Sequence, residues 1–446
     1  MSNEALLHSK KMGIQEESDW AAGTITAATR LLPLREAGII LGLQRQHIRP
    51  GRISGRASLK QSFLGTYAPK FTIPTFGYPV GGVLKLLKMA LGSLTTAEVA
   101  SFAVSAGVND KIDFTEDGGA EVTATLTAGT YAMGTSSAVA GSLCALIKAQ
   151  MEAVNGASTY TVTFSTTTGL VTITKSSGVF VLLWATGTNA ATAADTLLGF
   201  AADTASAIAA TAPTALVAVY DHTIKPLDAY IYGLSAGMTA QIKLADGKVF
   251  DALDAVVDVL KMSYKPNQEL WYDAECEGRL YADSSADLAS LSEETIAPLT
   301  FAQLVYTVGG VAHEISALEI NYSNNLKKDL FVNSEKRSKF PRNGFRAVSG
   351  SFTMDITDSR AYAIYTDFLA GTQPALVATF TAAASSIKTG YTYTITKTLG
   401  KVAYDLEAVP GGGGQAAPEG SAPFTALDDG TNGELKIVVR THQATI

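Results

Sequence analysis

The stretch that decides the fold runs Ser316-Ala317-Leu318-Glu319-Ile320-Asn321-Tyr322-Ser323-Asn324-Asn325-Leu326. Leu318, Ile320 and Tyr322 fall on alternate residues with Glu319, Asn321 and Ser323 between them, the pattern of a strand that buries one face and wets the other. The same period of two recurs in Phe352/Met354/Ile356, Tyr391/Tyr393/Ile395 and Leu435/Ile437/Val439, and near the front in Ala57/Leu59 with Phe63. Polar residues, often Thr, Ser or Lys, fill the opposite positions, as half-buried antiparallel strands require. Helical spacing is rare. Val83, Leu84, Leu87 and Leu91 share one helix face, with Lys85 and Lys88 off it. A second helix is expected from an Asp358 N-cap through Ala361, Ile364, Tyr365 and Phe368 to a stop at Gly371. The fold class is mainly β: duplicated, sandwich-type β domains, each with a short flanking helix, plus a small inserted α+β domain.

A chain of 446 residues, 47% hydrophobic and only 17% charged, can bury a sizeable core and is not a disordered polymer. Its 34 basic and 41 acidic residues leave a net charge of −7, which argues against a general nucleic-acid binder. Two distant cysteines, Cys144 and Cys276, make no disulfide framework and fit assembly in a reducing cytoplasm. Met1 to Lys11 lacks the apolar stretch of a secretory leader. Val179–Trp184 is too short to cross a bilayer, and 205–220 is interrupted by Pro213, so no membrane association is expected.

A weak repeat divides the chain. Arg52-Ile53-Ser54-Gly55 is read as a strand start followed by a helix ending Ala90-Leu91-Gly92. Arg346-Ala347-Val348-Ser349-Gly350 is read in the same way, with a helix ending Leu369-Ala370-Gly371. Ala274-Glu275-Cys276-Glu277-Gly278-Arg279-Leu280 is a fainter third echo. Between the halves, residues 109–206 contain no Arg and set three Lys against eight Asp/Glu, so −5 of the net −7 lies there. This segment has its own elements. Ile112-Asp113-Phe114 starts a strand, and Leu143, Ile147, Met151 and Val154 mark a helix. Tyr160/Val162/Phe164 and Val171/Ile173 form a hairpin about Thr167–Gly169, and Leu197-Leu198-Gly199-Phe200 adds core. The resulting division is a 1–30 arm, a discontinuous first β domain (31–108 and 207–290), an insertion (109–206) hinged at 96–101 and 207–215, and a second β domain (291–446). The last contains a long Gly/Pro-rich loop, 410–433.

Catalytic strings are few. Gly233-Leu234-Ser235-Ala236-Gly237 has the G-x-S-x-G form of serine hydrolases, preceded by a strand at Ala229–Tyr232. Yet Met238 onward reads as strand, where a nucleophile elbow needs a helix. An esterase built on Ser235 is the enzymatic alternative, and the main reading is not an enzyme. His8, His47, His222, His313 and His442 lack metal-ligand spacing and are read as surface or interface residues. The glycines after Pro410 lack the Lys-Ser/Thr of a phosphate loop, and Asp428–Gly433 lacks a calcium loop's alternating carboxylates and distal Glu. No cofactor or metal is implied.

Two basic stretches remain. One carries Arg45, Arg49, Arg52 and Arg56. The other carries Lys327, Lys328, Phe331, Lys336, Arg337, Lys339, Phe340 and Arg342, continuing to Phe345 and Arg346. Arg and aromatic groups at this density are what anchor protein interfaces, and localised basic loops on an acidic chain suit head-to-tail association.

The run Ser316–Leu326, followed by Gly344-Phe345-Arg346-Ala347-Val348-Ser349-Gly350-Ser351-Phe352, resembles the tail tube proteins of long-tailed phages, in which a strand ending Asn-Asn-Leu enters a long loop and a Gly-Arg, Ser/Thr-Gly strand returns. Gly51-Arg52-Ile53-Ser54-Gly55 looks like the first-half version, while in the second half Phe345 separates Gly from Arg. Tyr220-Asp221-His222-Thr223 is also similar. The Leu-Leu-Trp and Leu-Leu-Gly-Phe strings of the insertion resemble modules of phage structural proteins. The resemblance implies a virion protein assembled in the host cytoplasm. Two fused tube domains per chain would form trimeric, pseudo-sixfold rings, or a larger single unit hexameric rings, stacked around a channel that DNA crosses without specific binding. Tape measure, tail terminator and tail tip proteins are the implied partners. Lys327, Lys328, Phe331, Lys336, Arg337, Lys339, Phe340 and Arg342 are the candidate ring-to-ring contact, and Arg45, Arg49, Arg52 and Arg56 the candidate contact between subunits of a ring. A capsid or capsid-decoration protein is the structural alternative.

Overall fold

A computed structural model describes residues 11–17, 30–35, 40–48, 63–156, 158–227, 237–243, 249–284, 296–332, 334, 336–338, 340–355, 359–405 and 419–446. Outside the segment 100–218, the strands of the first half are β1 (Lys11–Glu16), β2 (Arg30–Leu32), β3 (Ile40–Ile48), β4 (Phe63–Phe76), β5 (Gly92–Val99), β6 (Val219–Pro226), β7 (Met238–Lys243), β8 (Val249–Tyr264), β9 (Trp271–Glu277) and β10 (Leu280–Ser284). The second half supplies β11 (Leu304–Val308), β12 (Val311–His313), β13 (Ile315–Ser323), β14 (Ala347–Asp355), β15 (Leu376–Lys388), β16 (Tyr391–Leu399), β17 (Lys401–Tyr404), β18 (Glu419–Leu427) and β19 (Lys436–Thr441). Helix α1 covers Gly82–Leu91 and α2 covers Ser359–Ala370.

Period-2 burial turns these strands into two facing antiparallel sheets, one of twelve strands and one of seven. The seven-stranded sheet runs β12-β11-β15-β16-β19-β6-β5, and the spine of the larger sheet runs β3-β4-β9-β8-β13-β14-β18-β17. Apolar side chains of both faces and of α1 form one continuous core, from Met12 and Ile14 through Leu260, Tyr322 and Phe352 to Val439. Strands of both halves of the chain lie in both sheets.

The spine holds a repeat. Ile40 opposes Thr72 across β3 and β4, and Glu319 opposes Ser351 across β13 and β14; each position in the second pair is 279 residues beyond its counterpart. The same spacing carries Gly92, the left-handed stop of α1, onto Gly371 after α2. β9 beside β4 then matches β18 beside β14, and β8 matches β17. The duplication seen in the sequence is therefore present but in another register. Phe71 matches Gly350, whereas the expected partner Arg52–Gly55 lies outside the described residues, as do Ala57 and Leu59. Gly350 is needed where it is, since a Cβ there would stand 2.3 Å from the Glu319 carbonyl oxygen and 2.5 Å from the Phe424 ring.

Three other expectations change. Lys85, placed by spacing on the exposed face of α1, is buried, because β1 and β2 close over the side of the helix that amphipathicity leaves to solvent. His222, read as a surface or interface residue, is fully buried on β6 within the chain. Its Nδ1 meets Thr96 Oγ1 at 2.8 Å, its Nε2 meets the Gln443 carbonyl at 2.8 Å, and burial holds its pKa down. The expected 410–433 loop contains a full strand, β18, despite Pro423 at its centre. Pro423 turns its nitrogen side to the point where β17 has ended, so the missing N–H breaks no ladder bond, and its carbonyl accepts from Asp405 N at 3.0 Å.

A second core draws on side chains from Phe102 to Tyr220. Helix Leu143–Val154, capped by Ser142, packs on the hairpin of Tyr160–Phe164 and Val171–Lys175. Trp184 stacks on Phe200 with ring centroids 5.1 Å apart. The segment leaves and rejoins the host between β5 and β6, which pair from Pro226·Gly92 to Val219·Val99. The two hinges read from composition are ordered structure instead: β5 runs to Val99, and Ala209–Thr211 is the third strand of the hairpin's sheet.

Between the two main sheets lies a buried lysine. Lys397 Nζ donates to Tyr272 Oη at 2.9 Å and to the Tyr264 hydroxyl, and sits within about 5 Å of the Tyr264, Tyr272 and Phe380 rings. Burial pulls its pKa well below that of an ordinary lysine. The unfolded chain therefore binds a proton that the native chain releases, and native stability should rise with pH through the range between the two values. Thermal unfolding of the wild type is expected to shift to higher temperature between pH 7 and pH 9, and Lys397→Met is expected to flatten that rise; an equal rise in both would show that another group carries it.

Candidate assembly interface

The two four-strand runs of the spine meet where β8 pairs with β13, from Val259·Ser323 to Tyr264·Leu318. Strand pairing leaves the chain after Ser323 beside the end of α1, and Asn324 closes that corner. Its Nδ2 donates to the carbonyls of Ala90 (2.8 Å) and Val257 (2.9 Å), and its backbone N–H donates to the Asp258 carbonyl at 2.8 Å. Two of these acceptors sit at the end of a helix and on a strand that would otherwise be an open edge.

The basic stretch after this corner is anchored by carboxylates from β8 and β9. Asp258 accepts Leu326 N on Oδ1 at 2.9 Å and pairs with Lys328 Nζ on Oδ2 at 2.6 Å. Glu277 pairs with Arg337 Nη1 at 2.8 Å and with Lys328 at 3.5 Å. Burial opposes the charge on Lys328, but its bond to Asp258 and the charges of Asp258 and Glu277 outweigh that cost and raise its pKa. Arg279 extends the network, donating from Nε to the Arg337 carbonyl and pairing with Asp254 at 2.9 Å. Beyond it, Glu17 accepts from Asp254 N and Thr239 Oγ1; burial, then its contact with the Asp254 carboxyl, pushes its pKa up to about 7.

The structure sorts the eight residues proposed for a ring-to-ring contact. Arg337 and Phe340 are turned into the protein. Phe340 packs with Val256 and Leu326, and the Arg337 guanidinium lies 5.5 Å from its ring. Lys328 is held between two carboxylates, Phe331 and Arg342 are half-buried, and Lys327 and Lys336 are exposed. Lys339 lies outside the described residues. Phe345, next along, is 96% exposed. Of the second group, Arg45 lies on β3 opposite Tyr67, while Arg49, Arg52 and Arg56 lie outside the described residues. Sequence reasoning missed Asn324, Asp258, Glu277 and Arg279 as members of one cluster. The third echo of the repeat contained Glu277-Gly278-Arg279, but nothing local announced its partners some 50 to 60 positions on.

The Ser235 string is described only at Gly237, whose carbonyl accepts from Glu17 N at 3.0 Å; the chain then continues as strand β7, not as the helix of a nucleophile elbow. Downstream, the His442 ring stands against Tyr393.

Two matching four-strand runs joined edge to edge, with a second sheet behind them, define a β-sandwich protein. The chain belongs to the phage tail tube family: the family's model, described as phage tail tube protein, matches residues 9–426. It is thus a structural component of a phage tail. No curated protein matches the chain.

The buried Arg337–Glu277 pair gives a sharp test of the cluster. Removing one partner of a buried ion pair leaves an uncompensated charge and costs about 3–5 kcal/mol, whereas an exposed lysine is worth well under about 1 kcal/mol. Urea unfolding of Arg337→Ala is expected to show a loss in the first range, and Lys336→Ala almost none. Equal, small losses would mean that the cluster does not hold the loop.

Proposed function

We propose that this chain assembles head to tail into closed rings that stack into the tail tube, each chain supplying two tube units and three chains making a pseudo-sixfold ring. The observation that carries this reading is the order of the spine. β3-β4-β9-β8 is followed by β13-β14-β18-β17, so the inner joint β8·β13 joins the counterpart of β3 to a continuation of the counterpart of β17: Val259–Tyr264 match the positions that follow Asp405, which lie outside the described residues. Strands β3 and β17 are the ends of the spine. A strand edge with unsatisfied N–H and C=O groups is a liability in a lone protomer, and the chain already contains the solution to it. Joining β17 of one copy to β3 of the next by the same rule repeats a heterologous contact, which closes into a ring when the rotation permits.

The divisions drawn from the sequence fit this reading: residues 31–108 with 207–290 form the first unit, 291–446 the second, and 109–206 an outward decoration. The outer face of the spine would line the channel. It displays Ser349, Ser351, Thr353, Ser421 and Thr425, and its Lys70 and Lys261 are both tied to Glu275 at 3.7 and 2.7 Å. Where the described lysines of this face are neutralised in this way, phosphate is held weakly, so DNA would pass without sticking. Tape measure, terminator and tip proteins remain the partners implied for the two ends and the lumen, assembly taking place in the host cytoplasm.

Electron microscopy and native mass spectrometry of the purified protein test the ring directly. Hollow stacked tubes whose rings hold three chains are expected. Six chains per ring would favour the single-unit hexamer, and shells or isolated protomers at high concentration would refute the tube assembly.

Stacking is assigned to the exposed part of the loop that Arg337 and Phe340 anchor. Replacing Lys327, Lys336 and Phe345 together with Ser is expected to leave single rings of unchanged thermal stability that no longer form tubes; normal tubes from this variant would remove the loop from the ring-to-ring contact.

A further inference from the structure

We infer that β5 is an open strand edge that takes an extended segment of a second copy of this chain, continuing the seven-stranded sheet across the boundary between protomers. This contact rests on the tube reading above and adds a seam behind the spine.

The seven-stranded sheet is built about β19, which pairs with β16 on one side and with β6 on the other. β15 and β5 come next, each the first strand after a helix and each antiparallel to its neighbour. Residue rows cross the whole sheet: Leu304, Phe380, Ile395, Val439, His222 and Thr96 oppose one another in turn from β11 to β5. On the first side the row passes beyond β15 into β11, and β12 follows. On the other side it stops at β5. All eight residues of β5 pair with β6, and among the described residues no strand pairs with its far side and residues 93–99 make no backbone hydrogen bond beyond that ladder. In an antiparallel edge strand, alternate residues then turn both N–H and C=O away from the sheet.

Folded proteins ordinarily blunt such an edge by keeping it short, bulging it, or placing proline or lysine on it. The edge strands β2 and β12 are three residues long. β5 has none of these devices. Its eight residues, Gly92-Ser93-Leu94-Thr95-Thr96-Ala97-Glu98-Val99, run in unbroken register with β6, and its threonines suit the pleated backbone. Its one charge does not guard it, because Glu98 is turned onto the insertion and accepts from Met133 N at 2.6 Å and Gly134 N at 3.0 Å. Thr95, Thr96 and Ala97 in mid-strand are exposed, so the edge is accessible.

A second copy is the occupant because the chain itself shows what this position takes. β15, which stands where β5 does on the other side of β19, is covered by β11 from Leu304·Phe380 to Val308·Leu376. A head-to-tail assembly presents its copies in one repeated orientation, so each can give a strand to the next. Strand addition draws its affinity from main-chain bonds and asks little of side chains, which fits an edge of Thr and Ala.

Amide exchange read residue by residue tests the seam on the unaltered protein. In free protomers, alternate amides within 93–99 are expected to exchange rapidly while those bonded to β6 stay protected; in tubes the first set is expected to slow by at least about tenfold. Supplying the missing guard residues is the second arm. Thr95→Lys combined with Ala97→Lys is expected to leave thermal unfolding unchanged and to raise the protein concentration needed for tubes by about tenfold. Outward amides already protected in protomers would show that the chain covers its own edge. Outward amides that exchange as fast in tubes, or normal assembly of the lysine variant, would show that no copy takes it. Each of these results overturns the seam and leaves the tube standing, whereas a wild-type chain that forms no tubes removes the tube reading and the seam with it.

Discussion

Backbone hydrogen bonding across β8 and β13 is the constraint on which the molecule turns. Six consecutive residues of each strand are paired there, and this ladder converts two four-strand runs into one spine. The corner beside it is closed by groups from distant parts of the chain: an asparagine amide on the last turn of α1, and two carboxylates on a lysine and an arginine. The ladder provides the pairing and the charged corner fixes its register, since a slip of one residue would turn every core side chain of β13 outward.

That joint also explains the contrast between the two helices. α1 is enclosed by β1, β2 and the end of β13, and even its Lys85 is buried. α2, its counterpart, leaves Leu369 in solvent. One half of the protomer thus encloses the end of its helix, and the other leaves it exposed.

The sequence was most readable where burial alternates cleanly. Leu318/Ile320/Tyr322, Tyr391/Tyr393/Ile395 and the hairpin at Tyr160–Ile173 all appear as strands, and Gly371 follows its helix in the left-handed conformation expected of a stop. Reading failed where tertiary context overrode local pattern. Pro423 and its neighbouring glycines suggested a loop, yet a strand forms because the proline nitrogen meets no ladder partner. Lys85 and His222 looked like surface residues because nothing near them in sequence reveals the elements that cover them. The loop cluster was half visible: its basic and aromatic members are contiguous, but Asp258 and Glu277 lie far earlier in the chain, and only the fold brings them to Lys328 and Arg337.

The central claim, as proposed above, is that the outward backbone groups of β3 and β17 left unpaired among the described residues are satisfied by another copy of the same chain. Amide hydrogen exchange on free protomers and on assembled material measures this most directly. Amides of 40–48 that face away from β4, and the outward Tyr404 N–H of β17, should exchange rapidly in protomers and become protected on assembly, while Val402, whose N–H donates to the Pro374 carbonyl at 3.0 Å, and the β8·β13 ladder stay protected in both. Equal exchange at the two spine ends before and after assembly would contradict the account.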